Sequence, residues 1–194
     1  STRYTRWRYM NIFYLDQEPK QAAQWHFDKH VVKMIVEYAQ LMSTAHRQLD
    51  GEQYIEHRAG RRIKRWRSPT EELDSTLYKA THNNHPSAIW TRASKANYEW
   101  LFRLFVELLD EYTHRYGKVH STSRLIPQLT NPPSNISDNA FTEPPPAMPD
   151  ECKIPGDSIA SYKNYYIQEK QRLANWKHRE TPYWWQTLVT TSEI

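Results

Sequence analysis

The chain has 194 residues, 38% of them hydrophobic and 25% charged, enough for one domain with a buried core and without the composition break that separates two. A single cysteine, Cys152, excludes an internal disulfide framework, and no apolar run approaches the roughly 18 to 20 residues of a membrane-spanning helix. A net charge of +4 and a pI near 9.1 favour an anionic partner, while eight Trp and thirteen Tyr supply rings suited to wet clefts and stacking, so the expectation is a soluble, cytoplasmic monomer.

In chain order, residues 1–9 alternate cations with rings (Arg3, Arg6, Trp7, Arg8, Tyr9), a composition that can track phosphates and stack on bases. Met10 to Leu15 is a short apolar run that periodicity assigns to neither helix nor strand. From Asp16 to Leu49 the spacing predicts one central helix. Asp16 is its N-cap, Pro19 lies in its first turn, Gly51 sits just past its end, and a bend is expected near Asp28. Phe27, Val31, Met34, Tyr38, Met42 and Ala45 recur in steps of three and four and form a core stripe. His26, His30, Lys33 and Glu37 lie on the shoulder of that stripe.

Residues 53–67 carry two β-leaning runs around Ala59-Gly60, which predicts a hairpin. Arg58, Arg61, Arg62, Lys64, Arg65 and Arg67, with Ile63 and Trp66 interleaved, give it the density of a backbone-binding ribbon. Ser68-Pro69 is expected to open a short helix through Lys79. A turn carrying His82 and His85 follows, then a second long helix from Ser87 to Tyr116 with Trp90, Tyr98, Leu101, Phe105, Leu108 and Tyr112 on its stripe and Gly117 as its stop. One or two more helical turns are expected within residues 118–129. Residues 131–155 hold seven prolines and read as extended surface coil, and Asp157-Ser158 is expected to cap a last helix to about Trp176. The fold class expected is all-α. It is a compact single-domain bundle, residues 1–194, around two long helices, with the basic hairpin as an insertion.

Three constellations carry chemistry. His26 and His30, at i and i+4, with Glu37, His82 and His85 form a candidate metal set for a metal-dependent nuclease or phosphohydrolase. Glu37, on an apolar shoulder with Lys33 at i−4, is a candidate acid or base whose pKa burial would raise and Lys33 would lower. The arm, the hairpin and the helix opened by His85-Pro86, with Arg92 and Lys95 in its first turns, form a candidate DNA surface. Cations early in a helix oppose its dipole, and an anionic ligand there relieves the clash.

Taken in order, Asp28-Lys29-His30, Glu37, His85-Pro86 with Trp90, Glu111-x-x-x-Arg115-Tyr116-Gly117 and Pro182-Tyr183-Trp184 resemble the pyrimidine dimer DNA glycosylases of the phage endonuclease V type, over roughly residues 10–186. Val36 stands where that family has an Arg, and Tyr116-Gly117 reverses its Gly-aromatic order. The resemblance implies a helical DNA-repair enzyme without a cofactor that flips a nucleotide of double-stranded DNA and attacks the sugar C1′ with an N-terminal α-amine, here that of Ser1. The resulting imine would support β-elimination, so that glycosylase and abasic-site lyase reside in one protein. Glu37 would be the catalytic carboxylate and His30 would line its pocket. Arg3, Arg6, Arg8, Arg61, Arg62, Lys64, Arg65, Trp66, His85, Arg92 and Lys95 are the candidate DNA contacts. A non-catalytic DNA-binding protein is the remaining alternative.

Overall fold

The computed structural model describes residues 10–185; the arm with Ser1, Arg3, Arg6 and Arg8 lies outside the described residues. In chain order the helices and strands are α1 (Pro19–Trp25), α2 (Asp28–Asp50), β1 (Glu52–Arg58), β2 (Arg61–Arg67), α3 (Glu71–Thr76), α4 (Pro86–Ala93), α5 (Lys95–Tyr116), α6 (Ile126–Leu129) and α7 (Ser158–Glu169). Two 3-10 turns, Ser121–Leu125 and Asp150–Cys152, accompany them. The chain is mostly helical, and among the described residues the sheet is a single antiparallel hairpin.

α2 and α5 form the centre, with α4 packed on α2 and α1 on α5. Every member of the predicted α2 stripe is buried, as are Trp90, Tyr98, Leu101, Phe105 and Leu108 of the second stripe, while Tyr112 is half-buried. Each fully buried Leu, Val, Phe or Met contributes roughly 1.5–3 kcal/mol, so these two stripes hold the domain together. Met10 to Leu15 threads the same core, buried throughout. Its backbone closes two successive i to i+2 bonds, Tyr14 N–H to Ile12 O and Leu15 N–H to Phe13 O at 2.9 Å each, so it is neither helix nor strand.

The helix predicted as continuous from Asp16 to Leu49 is two helices. His26 and Phe27 are extended, with ψ of 129° and 164°, and the break falls just before the expected bend. Arg115, wholly buried, reaches across from α5 and satisfies the carbonyls that the break exposes, donating to Gln24 O at 2.9 Å and His26 O at 2.8 Å. The cap of α1 is Glu18 rather than Asp16, whose Oδ2 accepts from the Glu18 N–H. The second long helix is also divided. Ser94 is extended and its hydroxyl accepts from the Asn97 N–H, capping α5, while Asn97 donates to Trp90 O and so secures the end of α4.

Gly51 and Gly117 end α2 and α5 as expected, Gly117 in the left-handed region at φ 69°. The hairpin pairs Glu52 with Arg67 through Arg58 with Arg61, and Ala59 and Gly60 both take positive φ, the geometry of a tight two-residue turn. The helix expected from Ser68 through Lys79 is only Glu71–Thr76, capped by Thr70. It is short because Arg47 draws the following carbonyls of Leu77 and Tyr78 to itself, together with those of Asp74 and Trp66. The last helix stops at Glu169 instead of about Trp176. Its tail turns back, with Trp176 Nε1 donating to Trp25 O at 2.9 Å.

Candidate functional site

Three fragments far apart in sequence meet at the break between α1 and α2. Arg115 pairs with Glu111 at 2.9 Å and with Asp28 at 3.0 Å, and Arg179 closes on the same Glu111 carboxylate at 2.8 Å. Burial would raise the Glu111 carboxyl, but the hydrogen bonds and charges of Arg179 and Arg115 outweigh it and hold it below its ordinary value. Asp28 also accepts from the Lys177 N–H at 2.8 Å. Thus Asp28, Glu111 and Arg115, three residues of the ordered pattern described above, bind one another and shape the turn that precedes α2.

Beyond that turn the α2 shoulder separates into two layers. His26 is fully buried: its Nδ1–H donates to Ala22 O at 2.6 Å, and its Nε2 accepts from the Tyr38 hydroxyl at 2.7 Å. Because a carbonyl can only accept, the proton sits on Nδ1. The Tyr38 oxygen also accepts from the Phe13 N–H at 3.1 Å, which ties the lead-in to α2. Burial pushes the His26 imidazole down to about 3, so it stays neutral. His30 lies between the rings of Phe13 and Phe27, with centroids at 4.1 and 3.9 Å, and its Nδ1 hydrogen-bonds the Tyr166 hydroxyl at 2.8 Å. Burial first, then the nearby cationic groups, hold it well below its usual value.

Glu37 is different. It stands two turns beyond His30, about 10 Å along the helix axis, and only 8% of its surface is exposed. The ammonium of Lys33, itself exposed, is 3.8 Å from its Oε1. Burial pushes its carboxyl from 4.5 up to about 8, with Lys33 opposing. A carboxylic acid that keeps its proton at neutral pH can donate it.

The metal set does not assemble. His26 spends both ring nitrogens, on Ala22 O and Tyr38, His30 gives its Nδ1 to Tyr166, His82 is an exposed turn residue at φ 51° whose Nδ1 contacts Thr81 Oγ1, and His85 caps α4. Among the described residues, no three His, Cys, Asp or Glu side chains converge as they would around an ion. The expected DNA contacts are dispersed. Arg61, Arg62 and Lys64 are exposed on the hairpin, whereas Arg65 pairs with Glu56 at 2.7 Å and Trp66 is half-buried. His85 is buried with its Nδ1 accepting from the Ser87 N–H. Because the helix breaks at Ser94, Arg92 lies in the last turn of α4, where a cation suits the dipole, and not in a first turn where it would oppose it. Lys95 does open α5, 4.0 Å from Glu99.

Sequence reasoning missed the polar roles of Asn11, Tyr38 and Tyr166. Tyr38 was assigned to the apolar stripe, and its hydroxyl is the hub between His26 and Phe13. Asn11 is buried with Oδ1 lacking a hydrogen-bond partner among the described residues. An open groove of about 810 Å³ lies between α1 and residues 179–183, lined by Gln21, Gln24, Trp25, Arg179, Thr181 and Tyr183 among others, and Glu37 does not line it.

The fold and site define a mostly helical domain in which a buried carboxyl, raised by burial and with one lysine beside it, lies on the same helix as an aromatic-imidazole layer. No helix among the described residues is long and apolar enough to cross a membrane. Comparison with protein-family models, curated proteins and solved structures finds no match.

Proposed function

We propose that the chain is a DNA glycosylase with associated abasic-site lyase activity, acting on damaged or modified pyrimidines in double-stranded DNA. The observation that carries this reading is Glu37, a nearly buried carboxyl pushed up to about 8 although the Lys33 ammonium lies 3.8 Å away. It supplies the proton that sugar opening requires. The pattern of residues resembling pyrimidine dimer glycosylases supports the choice of substrate class, and the exposed hairpin cations support a polyanionic partner.

In this mechanism an amine nitrogen bonds to C1′ while the glycosidic bond breaks and its electron pair leaves with the base, which takes up a proton. Breaking the C1′–O4′ bond gives the iminium, and O4′ receives the proton held by Glu37. Loss of a C2′ proton then expels the 3′ phosphate, and water releases the enzyme from the imine. An N-terminal α-amine, with a pKa of about 7.7–8.0, is substantially unprotonated at neutral pH and meets the need for a nucleophile. His30, fixed between two rings and hydrogen-bonded to Tyr166, is a positioning residue that holds the α2 shoulder rigid.

Borohydride reduction during incubation with damaged duplex DNA tests the reading. A covalent adduct mapping to the N-terminal peptide is expected, with turnover that survives EDTA and falls by about 10²-fold or more in Glu37→Gln. Absence of an adduct together with full turnover in Glu37→Gln refutes it.

A further inference from the structure

The hairpin is the strongest charged feature outside the carboxyl site, and its register sorts its charges by face. Partners across an antiparallel pair point the same way and alternate along the strand. Glu52, Tyr54, Glu56 and Arg58 therefore share one face with Arg61, Ile63, Arg65 and Arg67. Two contacts on that face agree: the Arg65–Glu56 ion pair and the Arg67 guanidinium 4.8 Å above the Tyr54 ring. The opposite face carries Gln53, Ile55 and His57 with Arg62, Lys64 and Trp66.

Both hairpin carboxylates thus lie on the first face. The second has two exposed cations, an exposed His57 and an exposed Gln53 around the half-buried Ile55 and Trp66, and no carboxylate of its own. Among the described residues neither Arg62 nor Lys64 enters an ion pair. The tip is Arg58-Ala59-Gly60-Arg61, all exposed.

The geometry points to this carboxylate-free face as a ribbon that enters the major groove of B-form DNA. Seven-residue strands extend about 24 Å at roughly 3.4 Å per residue, and a two-stranded ribbon fits a groove about 12 Å wide. The deep, narrow major groove of A-form RNA excludes it. A membrane surface is the poorer match, since the tip presents two arginines and no large apolar side chain to bury. Arg62 and Lys64 reach phosphates, and Gln53 and His57 face the base edges between them. This deepens the proposed function and rests on DNA being the partner; it concerns undamaged duplex and needs no chemistry at Glu37.

Fluorescence anisotropy of the full chain on an undamaged duplex across a salt series tests it, with Arg62→Ala/Lys64→Ala compared against an equal charge loss on the body, Lys20→Ala/Arg103→Ala. Loss of two phosphate contacts lowers affinity by about thirtyfold near 0.15 M salt and reduces the slope of log K against log salt by about 1.8. The body pair is expected to leave the slope nearly unchanged. Arg62→Gln/Lys64→Gln, which keeps long polar side chains, should show the same loss with an unchanged circular dichroism spectrum and melting temperature. Methyl green, a major-groove ligand, should displace the protein and netropsin, a minor-groove ligand, should not. Equal effects of the two variant pairs, displacement by netropsin alone, or hairpin-dependent binding that is as tight on duplex RNA or phosphatidylserine vesicles would overturn it. If borohydride trapping persists while the hairpin variant binds like the native chain, the ribbon assignment fails and the glycosylase reading stands. Hairpin-dependent duplex binding without any trapped adduct gives the reverse result.

Discussion

Replacing Glu37 with Gln removes an ionisable group from a site that resists its ionised form, and the effect on stability follows from the two ends of its titration. In the unfolded chain the carboxyl ionises at its ordinary 4.5, and in the folded protein at about 8. Below pH 4.5 it is protonated in both states and has no effect. As pH rises from 4.5 to 8 the unfolded form ionises and the folded form does not, so the unfolded state gains about 1.4 kcal/mol per pH unit. The penalty is about 3 kcal/mol near pH 6.5 and levels at roughly 5 kcal/mol above pH 8. Glu37→Gln, neutral throughout, is free of it. Urea unfolding at pH 5, 6.5, 8 and 9 should therefore show a variant more stable than the native chain by a margin that widens with pH and then flattens. In a Lys33→Met background, where the opposing ammonium is gone, the margin should keep widening to a higher pH. A difference that stays constant from pH 5 to 9 would refute the claim that burial governs this carboxyl.

The same titration limits the proposed reaction. Protonated Glu37 is lost as pH rises through about 8, while an α-amine becomes free through about 7.7–8.0, so single-turnover rates should peak near pH 8 and fall on both sides. A rate that climbs steadily to pH 10 contradicts Glu37 as proton donor. Arg115→Met leaves Glu111 to Arg179 alone and Asp28 to the Lys177 N–H, frees the Gln24 and His26 carbonyls, and should cost about 3–5 kcal/mol in urea unfolding. A loss under 1 kcal/mol would mean the network is dispensable. Tyr38→Phe leaves His26 Nε2 and the Phe13 N–H without their partner at about 1–3 kcal/mol for each buried group; unchanged stability would remove Tyr38 from its place as hub.

What was legible in the sequence tracks how local the cause is. The two apolar stripes, the Ala59-Gly60 turn and the stops at Gly51 and Gly117 depend on neighbours within one or two turns, and each was readable. The division at Ser94 was also readable, since Ser94 and Asn97 carry cap spacing, but the continuous apolar stripe obscured it. The early end of α3 was not readable, because Arg47 that draws off its carbonyls comes from a different helix. Nor was the fate of the histidines. The i, i+4 spacing of His26 and His30 suggests an ion only while the hydroxyls of Tyr38 and Tyr166 are assigned to the apolar core. Glu37 and Lys33 were readable as a pair, whereas the direction in which the carboxyl moves depended on how deeply α2 is covered.

The interruption between α1 and α2 also sets an order of events during folding. Its carbonyls are held by a guanidinium 89 residues away at His26 and 91 away at Gln24, partners that exist only once α5 has docked. Locally, the His26 ring already competes with the helical bonds, because its Nδ1–H takes the Ala22 carbonyl that a continuous helix would use for the His26 N–H. Docking of α5 supplies the long-range part of the division, closing the Gln24 and His26 carbonyls on Arg115. That part depends on long-range closure, whose entropic cost grows with loop length. Helical periodicity therefore holds on both sides of His26-Phe27, and the division between α1 and α2 is expected to be complete only when α5 docks.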